Sequence, residues 1–204
     1  MQKRFDFKEL RGRVWGAGES VDHPEGGEVW LRPPETCEIP LLHRLLHTEV
    51  SAQAGTPETM AAVFAHNRDS FWAVEHLPPN GARARIVGFY SFLLLNAAGF
   101  AALQSNTLNR AAPQLHHLAP SGEAPAAIYI WAIVARRLTR RLMPSLARAM
   151  GLLYADAPIF AFVVTEEGRK ASVGAGFAAA GERDRIEVGS FIQLPAWSQG
   201  GALA

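Results

Sequence analysis

A single cysteine, Cys37, stands among the 204 residues, so no internal disulfide can form and no Cys/His spacing of a structural zinc site exists. A small disulfide-stapled fold is thereby excluded, and a reducing cytoplasm is the expected compartment. Long apolar runs are also scarce. The unbroken apolar stretch within residues 124–135 stops at Arg136, short of the roughly 18 residues that a membrane-spanning helix needs. Charge at the start of the chain is not followed by the apolar core of a signal peptide, so neither a leader nor a span is expected. Excess charge of one sign is missing too. Lys and Arg number 20 against 19 Asp and Glu, and no helix-turn-helix signature or aromatic interleaving accompanies the basic residues, so nucleic acid is not an expected partner. There are no internal repeats, and no Gly-x-Gly-x-x-Gly follows a strand, which removes the solenoid and Rossmann readings.

What remains is an ordinary globular composition, 49% apolar, in a chain long enough to bury roughly 70% of its unfolded surface. Residues 1–27 mix charge with five glycines and show no sustained period, and read as an arm with at most a short element. Glu28-Val-Trp-Leu-Arg32 reads as a strand closed by Pro33-Pro34. Thr36 is the expected cap of a helix to about Val50, with Ile39, Leu42, Leu46 and Val50 on one stripe. Thr56-Pro57-Glu58 starts a second helix with a cap, a first-turn proline and a first-turn acid. Residues 70–76 and 85–95 are aromatic and branched and flank Pro-Pro-Asn-Gly, the pattern of an antiparallel hairpin. Residues 126–135 and 158–164 read as strands buried on both faces. A helix is expected over about 139–150, another after Thr165, and a final hairpin over 177–194.

Residues 96–125 are too long for a plain connection. Their large apolar residues predict a short helix and a contact role, as a lid over a cleft or as a homodimer surface.

Several residues carry chemistry by type and spacing. Arg136, Arg137, Arg140 and Arg141 crowd the start of the expected helix at 139–150, the helix end that disfavours cations, and so ask for an anion. Thr139 fits its N-cap. His43 and His47 are four apart on one helix, but no third ligand or neighbouring glutamate completes a metal site, so no metal is expected. In the strand at 126–135, Tyr129 and Trp131 share one face, with Ile128, Ile130 and Ala132 on the other. Cys37 has no nameable base and reads as a buried small apolar residue at a helix start. His116-His117 reads as a surface pair.

The order β-α-α-β-β-β-α-β-α-β-β, starting at about Glu28, resembles the GNAT superfamily of N-acetyltransferases. EVWLRPPETCEIPLLHRLL is similar to that family's first strand and helix, VGFYSFLLLN to its third strand, and AIYIWAIVA to its fourth. Residues 165–177, TEEGRKASVGAGF, match the length and Gly-Phe ending of its Asn-x-x-Ala-x-x-Leu-Tyr-x-x-x-Gly-Phe pattern. The resemblance implies an α+β fold, with a mixed, mostly antiparallel sheet and helices on both faces, over residues 28–204 with 96–125 as an insertion. It implies transfer of an acyl group from acetyl-CoA or another acyl-CoA to an amine on a small molecule or a protein.

The same resemblance assigns roles. Ile133, Val134 and Ala135 would position the cofactor, and Arg136, Arg137, Thr139, Arg140 and Arg141 would hold its pyrophosphate. Tyr129, Trp131 and His43 would border the acceptor. Two family features are replaced. The junction after Ala135 has no glycine for the pyrophosphate loop, so guanidiniums would take over. Ser172 stands at the place of the tyrosine that protonates the leaving thiolate, and a serine hydroxyl is far less acidic than a phenol. The fourth strand lacks a carboxylate base, for which Glu75 and Tyr90 are the substitutes in kind. These losses keep a second class open, a GNAT-shaped binding or interaction module without catalysis.

Overall fold

The computed structural model describes residues 21–49, 55–135, 138, 154, 157–174, 176–179, 189 and 191–194. Strand β1 (Val21–Asp22) pairs with β2 (Glu28–Arg32), whose Val29 and Leu31 are buried. A 3-10 turn at Thr36–Glu38 leads into α1 (Ile39–Glu49), and it leaves Cys37 exposed rather than buried, because the turn lies outside the stripe of α1 that packs on the sheet. The turn is closed one residue earlier than expected. The Glu35 N–H donates to the Glu38 carboxylate at 2.7 Å, so a reciprocal acid rather than the Thr36 hydroxyl satisfies this end. Helix α2 (Pro57–His66) starts as its sequence predicts, with Thr56 Oγ1 accepting from the Thr59 N–H at 3.2 Å.

Strands β3 (Phe71–Leu77) and β4 (Arg85–Leu95) form the antiparallel hairpin, and β4 pairs antiparallel with β5 (Ala127–Val134). Strand β6 (Ile159–Phe162) is parallel to β5. Helix α4 (Glu166–Gly174) follows, and β7 (Ala178–Ala179) and β8 (Phe191–Leu194) close the order β1-β2-β3-β4-β5-β6-β8-β7. Thr165 Oγ1 caps α4 by accepting from the Gly168 N–H at 3.0 Å. The helix expected over 139–150 lies outside the described residues.

Two apolar layers line the sheet. One joins α1, α2 and α3 (Ala97–Gln104) to Phe71, Phe89, Leu93, Leu95, Tyr129 and Val134. The opposite layer holds Trp72, Tyr90, Phe92, Leu94 and Ile128, with Leu138, Tyr154 and Phe177 against them. Strand β6 departs from expectation. Its four residues are half-buried rather than buried on both faces.

The segment 96–125 leaves the sheet and returns to it. Asn96 caps α3 by accepting from the Gly99 N–H, while its amide donates to the carbonyls of His116 and Leu118. A side chain on Gly99 would overlap the His117 carbonyl, so this glycine permits the close approach. The chain then runs back beside β4, with the Ala119 N–H donating to the Leu94 carbonyl at 2.7 Å. Leu103, Leu108 and Leu118 are buried under it, while Leu115 is exposed.

Candidate active site

Strand β5 organises the site, and a bulge sets which side chains reach it. Ser91 of β4 lies opposite Ala132, but the next residue, Phe92, lies opposite Ile130, which leaves Trp131 without a cross-strand partner. The extra residue resets the alternation. Tyr129, Trp131, Ala132 and Val134 therefore all face the α1–α3 layer, whereas Ile128, Ile130 and Ile133 face the other. The strict alternation that puts Ala132 beside Ile128 and Ile130 is corrected by this bulge.

The pairing of β5 differs on its two sides. Toward β4 it continues to Phe89 and Val134; toward β6 it covers Ile128, Ile130 and the residue between, and ends opposite Ala161. Beyond that point β5 and β6 part. Among the described residues, the last stretch of β5, Trp131 to Val134, pairs only with β4, and edge backbone groups of this kind seek a partner.

On the helix face, four segments converge at this opening. Gly55, just before α2, is pressed against the Trp131 ring and the Ala111 carbonyl, and an added β-carbon would sit 2.9 Å and 2.8 Å from them. The Trp131 indole N–H donates to the Arg110 carbonyl at 2.7 Å, and its ring meets Phe71 edge-on at 6.0 Å between centroids. His43 of α1 is linked to the same place through the backbone of Gly55. Its Nε2 is buried and has no hydrogen-bond partner, and its ring tilts against His47 at 4.3 Å. Burial first, then the neighbouring His47, pulls the His43 pKa below its ordinary value, so the ring is held neutral. Tyr129 is buried, and burial raises its phenol while the Arg110 guanidinium works against that rise.

Sequence reasoning missed Arg110. Its guanidinium lies 4.5 Å from the centre of the Phe162 ring and 4.9 Å from that of Phe191, so the insertion is pinned across β5, β6 and β8. The turn that presents it is built by Asn109, whose side-chain oxygen accepts from the N–H groups of Ala111 and Ala112. Asn109 was a readable turn signal; the destination of its neighbour was not.

Other expected residues lie elsewhere. Glu75 is bound by Arg32 at 2.8 Å, and the same guanidinium holds Glu38 at 2.7 Å. That sharing keeps the Glu38 carboxyl below its usual range and ties both acids to the junction of β2, β3 and the turn before α1. Tyr90 is fully buried in the layer opposite His43 and Trp131. Its hydroxyl has no partner, and burial raises its pKa. Ser172 Oγ donates to the Gly168 carbonyl at 2.8 Å, back along its own helix. Ile133, Val134 and Ala135 lie at the open end of β5, whereas Arg136, Arg137, Thr139, Arg140 and Arg141 fall outside the described residues. Among the described residues, no three His, Cys, Asp or Glu side chains are grouped to hold a metal, and no helix is long and apolar enough to cross a membrane.

No protein-family model and no curated protein matches the sequence. Among solved structures, the chain is similar to one assigned as a phosphinothricin N-acetyltransferase, with a TM-score of 0.50 at 13% identity, covering 81% of this chain and 94% of that one. The chain has the GNAT fold. A GNAT-family acetyltransferase assigned from Bordetella pertussis aligns at a TM-score of 0.49 and 12% identity, over 86% of this chain and 97% of that one. A spermidine N-acetyltransferase chimera containing Vibrio cholerae sequence aligns at 0.48 and 13%, over 81% and 94%. Identities this low speak for the fold alone. In GNAT terms, β5 and β6 are the fourth and fifth strands.

Proposed function

We propose that the chain is an acyl-CoA-dependent N-acyltransferase whose cofactor lies along the open edge of β5. The observation that carries this reading is the parting of β5 from β6 while β5 stays paired with β4 to Val134. A strand edge that pairs with no second strand among the described residues fits the amide-rich arm of CoA, which binds by strand-like hydrogen bonds. Ile133, Val134 and Ala135 would hold that arm, and the arginines at 136, 137, 140 and 141, with Thr139, would take the diphosphate. An acyl-CoA bound there supplies a thioester, whose C–S bond gives way to a C–N amide bond as the thiolate leaves and the amine sheds a proton.

The chain's own residues orient and move protons around that exchange. A backbone N–H near Val134 would face the thioester oxygen. His43, Trp131 and Tyr129 border the acceptor, on a small molecule or a protein, and the neutral His43 Nε2 is an acceptor for the amine proton on that side. Ser172 supplies no ready acid. Its proton is committed to the Gly168 carbonyl, which favours protonation of the thiolate by water.

That commitment, with the glycine-free junction after Ala135, also favours the second reading, a binding module of GNAT shape without turnover. The two separate on one assay. Incubation with acetyl-CoA and a panel of amines should release free CoA in proportion to amine; release that ignores every amine, from a protein that binds acetyl-CoA, would support the module.

A further inference from the structure

The segment 96–125 places a cation beside the site with no carboxylate paired to it among the described residues. Arg110 is half-buried, and its guanidinium packs over the rings of Phe162 and Phe191. The turn itself is held by other groups: the Asn109 side-chain oxygen closes it, and the Arg110 carbonyl is taken by the Trp131 indole. Packing against aromatic rings engages the faces of a guanidinium. The edge of the guanidinium carries its N–H groups, and the Tyr129 hydroxyl lies within reach of one of them, so the two can present a shared polar patch. Such a planar fork matches a carboxylate with two parallel hydrogen bonds, and partial burial strengthens the pair.

We infer that Arg110 is the anion anchor of the acceptor subsite, and that the acceptor is an amine that also carries a carboxylate. The amine half of this statement rests on the acyl-transfer reading; the carboxylate half rests on Arg110 alone. The insertion at 96–125 then has a specific task. It carries a charge onto a sheet face whose own strands, β5 and β6, offer only apolar and aromatic side chains there.

The test uses α-amino acids, each paired with the amine that lacks its carboxylate, titrated into the full chain while the indole N–H signal of Trp131 is followed by NMR, with and without CoA. Because that N–H donates to Arg110, it reports on the subsite directly. At least one amino acid should bind tenfold or more tighter than its paired amine. Arg110→Met, which keeps the aliphatic stem on the rings, should erase that difference, and Arg110→Lys should keep part of it. The inference is overturned if no amino acid exceeds its amine tenfold, or if the preference survives in Arg110→Met with the fold intact by circular dichroism. A chain whose thermal midpoint ignores CoA would defeat the transferase reading, yet the amino acid and amine contrast would still decide Arg110.

Discussion

The two flanks of β5 are built differently. On the β4 flank the pairing runs the length of the strand, β4 is buried from Gly88 to Leu95, and three helices pack over one face. On the β6 flank the pairing ends after Ile130, and β6 is half-buried throughout. The first flank has the apolar contacts to fix β5 in place. The second gives up pairing where a ligand would need the edge. A single strand thus serves as a wall on one side and, in the proposed function, as a binding surface on the other.

The largest expected effect tests the wall. Phe71 is fully buried and touches Phe64, Phe89 and Trp131, so Phe71→Ala should cost about 3–5 kcal/mol in denaturant unfolding. Phe162→Ala, on the half-buried flank, should cost less than half of that. Equal losses would break the comparison.

Glycines sharpen the contrast at a smaller scale. A β-carbon on Gly88 would overlap the Val134 carbonyl, so Gly88→Ala must push β4 from β5 and should cost about 1–3 kcal/mol. Gly174, at the end of α4, has open space around it, and Gly174→Ala should stabilise by about 0.4–1 kcal/mol. A harmless Gly88→Ala would mean that the β4 and β5 backbones are not held as closely as described.

Tyr90 separates a structural phenol from a catalytic one. Its hydroxyl is buried without a partner, so Tyr90→Phe should leave stability unchanged or raise it by up to about 1 kcal/mol, and should spare turnover. A hundredfold loss of activity in a folded Tyr90→Phe protein would return it to the site.

The smallest effect is a pH dependence. Folding lowers the His43 pKa, so below about 6.5 the unfolded chain takes up a proton before the folded one does. His43 therefore leaves stability intact above that pH and erodes it as pH falls through the folded pKa. The thermal midpoint should drop less between pH 7.5 and 5.5 in His43→Gln than in the wild type. An identical drop would show that His43 is not held neutral.

The sequence disclosed elements where period and punctuation agreed, as in the Thr56-Pro57 helix start and the 71–95 hairpin. It hid features that leave neither trace. The bulge at Trp131 falls in AIYIWAIVA, which is apolar on both faces, so no change of alternation betrays it. The half-burial of β6 was equally unreadable, because PIFAFVV has the composition of a core strand and only the tertiary partners set its exposure. Of the candidate site, Tyr129, Trp131 and His43 do converge near the opening, whereas Glu75 and Tyr90 do not. Their faces depend on strand neighbours that no local pattern encodes. Arg110 was invisible for a simpler reason: a lone arginine in a turn reads as solvated until the ring it covers is known.

The most direct measurement of the central claim is the thermal midpoint of the purified chain with and without acetyl-CoA. A ligand bound only by the native state at about a hundred times its Kd adds about 2.7 kcal/mol, which for a chain of this length raises the midpoint by roughly 5–10 °C. The open edge of β5 predicts such a rise. A midpoint that does not move at millimolar acetyl-CoA would contradict it.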